Sequence, residues 1–170
     1  MHFLSQELSH VDLAFYMREA LSEAERAGQE GELPIGAVLV IEGEIISRGR
    51  ARRNSMRNQL RHAELNALLE GGERLWCDYK KAILFTSLEP CPLCLGAAVM
   101  ADVPHLIFAL PDRGVHSAQT VELNPYVRRH IHSYFGGVLA EESAAIIASY
   151  DPDALTYIQT GGYPDSPAVS

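Results

Sequence analysis

Apolar residues recur at Leu13, Tyr16, Met17, Ala20, Leu21 and Ala24. That three- and four-residue spacing lines one face of a helix and predicts an amphipathic helix over residues 9–28. Ser9 stands where an N-cap belongs, Asp12 occupies the capping-box position, and Gly28 is the stop. The pattern then changes. Residues 35–41 are an unbroken apolar run (Ile-Gly-Ala-Val-Leu-Val-Ile) of the kind a buried strand shows, and Glu42-Gly43 turns it into a second strand over residues 44–50.

A polar loop covers residues 51–61, and a helix over 62–70 ends at Gly71-Gly72. Further strands are predicted over 82–87, 105–110 and 137–140, and further helices over 91–101, 121–135 and 141–150. Strands alternating with helices after an opening hairpin predict a three-layer α/β/α sandwich around a central mixed five-stranded sheet. Residues 1–160 are expected to form a single domain. Residues 161–170 have loop composition and are expected to be a flexible tail. There is no internal repeat and no linker.

The chain of 170 residues is 47% hydrophobic and 21% charged, the balance of a globular protein with a core of ordinary size. No apolar run approaches the roughly 20 residues of a membrane span, and the N-terminus lacks the basic start and apolar stretch of a signal peptide. Three cysteines, two of them spaced C-x-x-C, make no disulfide framework and point to a reducing cytoplasm. The net charge of -8 opposes the counterion release that drives nucleic-acid binding. A local basic stretch runs against that sum: Arg48, Arg50, Arg52, Arg53, Arg57 and Arg61. A second lies at Arg128-Arg129-His130 with His132.

Chemistry concentrates in His62-Ala63-Glu64 and Pro90-Cys91-Pro92-Leu93-Cys94. One imidazole and two thiolates supply three soft ligands to a tetrahedral zinc and leave the fourth position open, as hydrolysis requires. Pro92 suits the first turn of a helix, which puts Cys91 and Cys94 on one face at its positive end, where thiolates are favoured. Glu64 follows His62 by two residues, about 200° round a helix, so it is better placed to move protons than to bind the same ion. Cys77 has no partner in the pattern. His130 and His132 diverge on a helix and suggest no second metal site, and no serine sits in a nucleophile elbow.

The H-x-E and P-C-x-x-C pair is the signature of zinc-dependent nucleobase deaminases. With residues 33–40, 62–68 and 86–97, and more weakly Ile107-Phe108-Ala109 and Asp112, the chain resembles the cytidine deaminase-like superfamily. Its nearest likeness there is to the branch of tRNA adenosine, guanine and fungal-type cytosine deaminases. The resemblance implies zinc held by His62, Cys91 and Cys94, proton transfer by Glu64, and ring binding by the backbone of Ala63. It also implies pairing of chains across the site helices; the small-residue helix over 91–101 supports a homodimer.

There are departures from the family pattern. Ala51 stands eleven residues before His62, where many members carry a base-binding Asn, and Asn54 is the nearby substitute. Asn58 replaces the Asp of a common Asp-Pro pair. Residues 148–153 are acidic and interrupted by proline, where bacterial tRNA editors carry a basic, aromatic helix. The expectation is therefore a zinc-dependent hydrolytic deaminase of a free nucleobase, nucleoside or related aminated heterocycle, with tRNA disfavoured as a partner. The alternatives are a tRNA-specific adenosine deaminase and a non-catalytic zinc-folded subunit binding RNA or a partner. Glu64 argues against the last, because a structural zinc site has no use for it.

Overall fold

The structure, a computed structural model, describes residues 2–162. Most of the expected tail, residues 163–170, lies outside the described residues.

Strands β1 (Gly36–Ile41) and β2 (Glu44–Arg50) form the hairpin. Glu42 and Gly43 both take positive φ, 52° and 82°, the backbone a tight two-residue hairpin turn demands. Strands β3 (Ala82–Leu88), β4 (His105–Leu110) and β5 (Ser133–Gly136) complete a sheet of order β2-β1-β3-β4-β5. β1 runs antiparallel to both neighbours, whereas β3, β4 and β5 are parallel. This is the expected mixed five-stranded sheet.

Side chains alternate across it. Ala37, Leu39, Ile41, Leu84, Leu106, Phe108 and Tyr134 face one layer. That layer comprises α2 (Ala63–Glu70), α3 (Gly72–Asp78), α4 (Pro92–Met100), α5 (Ser117–Leu123) and α6 (Pro125–His130). Val38, Val40, Ile83, Phe85, Ile107 and Ala109 face α1 (Leu13–Gln29) and α7 (Ala140–Tyr150) on the other side. A smaller cluster joins Leu88 and Leu110, at the exits of β3 and β4, to Ile147 of α7 and Ile158 of α8 (Pro152–Thr160). Among the described residues no helix is long and apolar enough to cross a membrane.

Five features differ from expectation. Residues Gln6–Leu8 form a 3-10 turn that Ser9 closes, so α1 waits for Asp12, whose carboxylate accepts the Phe15 N–H at 3.0 Å. Gly71-Gly72 ends α2, but α3 begins at once. The helix expected over 121–135 is two short helices, because the Asn124 side chain accepts from Tyr126 and Val127 and Pro125 opens a new first turn. The chain is then free to enter β5 at Ser133, four residues ahead of the expected strand at 137–140. Finally, Asp151-Pro152 starts α8: the Asp151 carboxylate accepts the Ala154 N–H at 2.9 Å and Pro152 is the first helical residue.

Candidate active site

Because β1 is antiparallel to both β2 and β3, those two strands run the same way and leave the sheet at one edge. β2 passes through the loop 51–61 into α2, and β3 passes through Glu89-Pro90 into α4. Both helices therefore present their N-termini to the same place. Gly49 lets α2 lie close on β2, since a Cβ there would stand 2.1 Å from the Ala63 carbonyl oxygen. His62 and Cys91 are the N-caps of α2 and α4, both in extended backbone, and neither side chain is used for capping. Both are left to point outward, with Pro92 as the first residue of α4 and Cys94 one turn on.

The structure brings the three expected ligands together. His62 Nδ1 lies 3.5 Å from Cys91 Sγ and 3.5 Å from Cys94 Sγ. A tetrahedral zinc with bonds of about 2.05 Å to nitrogen and 2.3 Å to sulfur separates those ligand atoms by about 3.6 Å. The spacing fits. The protonation chemistry fits as well. A hydrogen bond from Cys94, with help from His62, holds Cys91 down to about 4 against its burial. Cys94 is pushed up by sharing a proton with Cys91, by its burial and by Glu64. The pair favours one thiolate and one thiol, and a divalent cation held there would take the place of the shared proton.

Glu64, only 4% exposed, extends beside the trio with Oε2 at 3.3 Å from Cys94 Sγ. Burial pushes its carboxyl up, in the direction that lets it hold a proton. As the first residue of α2, Ala63 carries an N–H with no intrahelical acceptor.

A cavity of about 710 Å³ opens onto His62, Ala63, Glu64 and Cys91. Ala51 and Asn54 are both on its wall. The Ala51 methyl offers no hydrogen bond. The Asn54 amide nitrogen donates to Gly31 O at 3.0 Å, leaving Oδ1 as its remaining polar atom. Glu32, also on the wall, fixes this loop by accepting the Asn54 and Ser55 N–H groups at 2.8 and 2.7 Å.

Several wall residues were given no role by the motifs. Glu89 is buried and accepts the Tyr134 hydroxyl at 2.7 Å and the Asp112 N–H at 2.9 Å, so one carboxylate ties β5 to the loop after β4. Burial pushes Asp112 up. Asp151, Asp153, Tyr157 and Ile158 close the far side, with α8 held by the Arg113 N–H on Ile158 O at 2.9 Å. The Asp151-Pro152 dipeptide was the available sign of that wall, as a cap followed by a helix-opening proline. Cys77 is exposed on α3 and takes no part.

Three soft ligands beside an open cavity, with a buried carboxylate alongside, fit a zinc site with a proton carrier. The family model for the cytidine and deoxycytidylate deaminase zinc-binding region matches residues 11–110, and the chain belongs to that family. It is 38% identical over 139 residues to a tRNA-specific adenosine deaminase of Bacillus subtilis, covering 79% of this chain and 86% of the relative. A solved structure from work on A-to-I editing by tRNA:A34 deaminases at the wobble position of transfer RNA superposes with a TM-score of 0.69. It shares 32% identity over 78% of this chain and 98% of that one. A guanine deaminase from Nitrosomonas europaea shares the fold, with a TM-score of 0.69 at 19% identity over 89% of this chain and 96% of that one.

Proposed function

We propose that this chain is a tRNA-specific adenosine deaminase, converting adenosine in an anticodon loop to inosine with release of ammonia. His62, Cys91 and Cys94 would hold the zinc, and Glu64 would carry the protons. The observation behind the substrate is the 38% identity to the Bacillus subtilis enzyme across most of both chains. This reverses the preference for a free heterocycle, which rested on Ala51 in place of a base-binding Asn, on net charge and on the composition of residues 148–153.

The last two grounds weaken in the folded chain. Net charge is a sum over the whole surface. Arg48 and Arg50 are matched by Glu19, Glu23 and Glu30, whereas Arg52, Arg53, Arg57 and Arg61 form no salt bridge among the described residues. Their positive charge is left for phosphates on the loop that leads into the site, although Arg53 also bonds Gln59 and Arg61 bonds Asn66. Pro152–Thr160 form a helix on the cavity wall, capped by Asp151, not a broken end.

When bound, zinc supplies an acidified water near neutral pH. Glu64 takes a proton from the attacking water and delivers it to the ring nitrogen beside C6. It then serves the departing amino group, which leaves as ammonia once the C–N bond breaks. The Ala63 N–H at the start of α2 would orient the base. Asn54 Oδ1 takes the recognition role that Ala51 cannot fill.

A second reading, deamination of a free base or nucleoside, draws on Glu32, Asp112, Asp151 and Asp153 along the cavity wall, which repel phosphate. One assay separates the two. Anticodon stem-loop RNA with adenosine at the wobble position is compared with free adenosine, adenine, guanine and cytosine, reading inosine or ammonia. The tRNA reading expects turnover of RNA well above any free compound. It also expects a log–log salt slope of about -0.7 per phosphate contacted. Faster turnover of a free compound, or a flat salt response, refutes it.

A further inference from the structure

At the end of β4 remote from the cavity, a second cluster of metal-binding side chains assembles from three separate segments. Glu7, His105 and His132 each place one ligand atom within 4.8 Å of the others. β4 separates this cluster from the candidate active site by a strand length of roughly 17–20 Å, so the two places are independent.

The backbone builds the cluster deliberately. His105 opens β4 and is 3% exposed. Pro104 O accepts the N–H groups of His132 and Ser133 at 2.7 and 3.1 Å, which sets His132 beside His105 with the ring centroids 6.0 Å apart. Glu7 lies in the 3-10 turn Gln6–Leu8, and Ser5 just before it donates its N–H to Ser133 Oγ at 3.0 Å. The same Ser133 Oγ is 2.9 Å from His105 Nδ1.

That last contact fixes the imidazole. Nε2, the ring nitrogen that Ser133 does not contact, lies 3.5 Å from Glu7 Oε2. The separation is long for a hydrogen bond. It is close to the edge of a zinc tetrahedron, about 3.4 Å for nitrogen and oxygen ligands at 2.05 and 2.1 Å. A ligating histidine whose other nitrogen is held by a hydrogen-bond partner is the usual arrangement around a bound metal.

We propose that Glu7, His105 and His132 form a second site for a divalent transition metal, zinc in the first instance, that clips the N-terminal segment to the sheet. Two imidazoles and a carboxylate suit zinc better than calcium or magnesium, which prefer all-oxygen sets. The segment is already tied by the Phe3–Tyr134 backbone pair and by Ser5 on Ser133. The metal adds a third tie through side chains.

The test measures metal content, not turnover, so its failure leaves the deaminase reading where it stands. Untagged full-length protein is saturated with zinc, freed of excess by gel filtration, and analysed by plasma mass spectrometry. The parent should carry two zinc ions per chain, in line with the two ligand groups. His132→Ala and Glu7→Ala, both at exposed positions that leave the core intact, should each carry one. Cobalt substitution provides the signature: the site lost in His132→Ala should lack the thiolate charge-transfer band, which the variant should retain. The proposal is overturned if the parent carries a single zinc that Cys94→Ser abolishes. It is equally overturned if His132→Ala and Glu7→Ala hold as much zinc as the parent.

Discussion

Replacing Gly49 by alanine perturbs the candidate site without touching it. The added Cβ would stand 2.1 Å from Ala63 O and 2.5 Å from Ala67 N, both backbone atoms of α2 that no side-chain rotation can move. Ordinary contact begins at 3.4 Å, so helix and strand must separate by about 1.3 Å. α2 carries Glu64 and follows directly on His62, while Cys91 and Cys94 ride on α4 and stay behind. Metal sites tolerate about 0.2 Å in bond length, so a shift several times larger spoils the 3.5 Å nitrogen–sulfur spacings. Overpacking of this kind costs about 1–3 kcal/mol of stability. A misplacement near 1 Å costs on the order of 10²-fold in rate. The assays are zinc retention during dialysis against a chelator and the initial rate of inosine formation, with circular dichroism to confirm the fold. Gly96→Ala in α4, where a Cβ meets nothing within 4 Å, is the control and should leave both readouts unchanged. If Gly49→Ala keeps its zinc and works within about threefold of the parent, close seating of α2 on β2 does not position the site.

Glu64→Gln should keep zinc and fold while losing about 10²–10⁴ of the rate, the value of positioned proton transfer; activity within tenfold of the parent would assign that transfer to another group. Glu32→Gln should loosen the loop 51–61 and lower stability near neutral pH by about 1.5–3 kcal/mol, the range for hydrogen bonds to a charged group. Although burial works to raise Glu32, its bonds from Ser55 and Asn54 hold it below the usual carboxylate range. Its stabilisation is therefore complete above a pH of about 4.5 and is lost as pH falls through the folded value. Denaturant melts of parent and variant should converge in acid; a gap that stays constant down to full protonation would show that charge is not involved. Trp76 and Met100, 82% and 73% exposed around one hollow, are apolar surface that pairing of two chains would cover. Light scattering should find a dimer that Trp76→Asp weakens, and an 18.7 kDa particle at micromolar concentration would contradict it.

Strands β1 to β4 were legible because each is an apolar run bounded by a turn signal, and their observed limits fall within a residue or two of the reading. β5 was not, because Ser133–Gly136 is too short to announce itself and its place depends on the break that Asn124-Pro125 makes upstream. The break at Asp151-Pro152 does end the helix expected over 141–150, but the helix that Pro152 then opens was not foreseen. The metal trio could be read because its spacing encodes both the donor set and the helix starts. The rest of the cavity could not. Glu32, Glu89 and Asp112 acquire their places only when distant strands meet, through bonds such as Tyr134 on Glu89, 45 residues apart in the chain.

The wide sequence interval between His62 and its sulfur partners, 29 and 32 residues, has a consequence for the unfolded chain. A metal bridging these positions closes a covalent-like ring through α2, α3 and β3. If it acts as a cross-link that survives unfolding, loop-closure entropy for about 30 residues disfavours the open chain by about 3.6 kcal/mol, as for a disulfide of equal span. If the ion is released instead, free zinc concentration sets the melting temperature. Chelation would then lower that temperature.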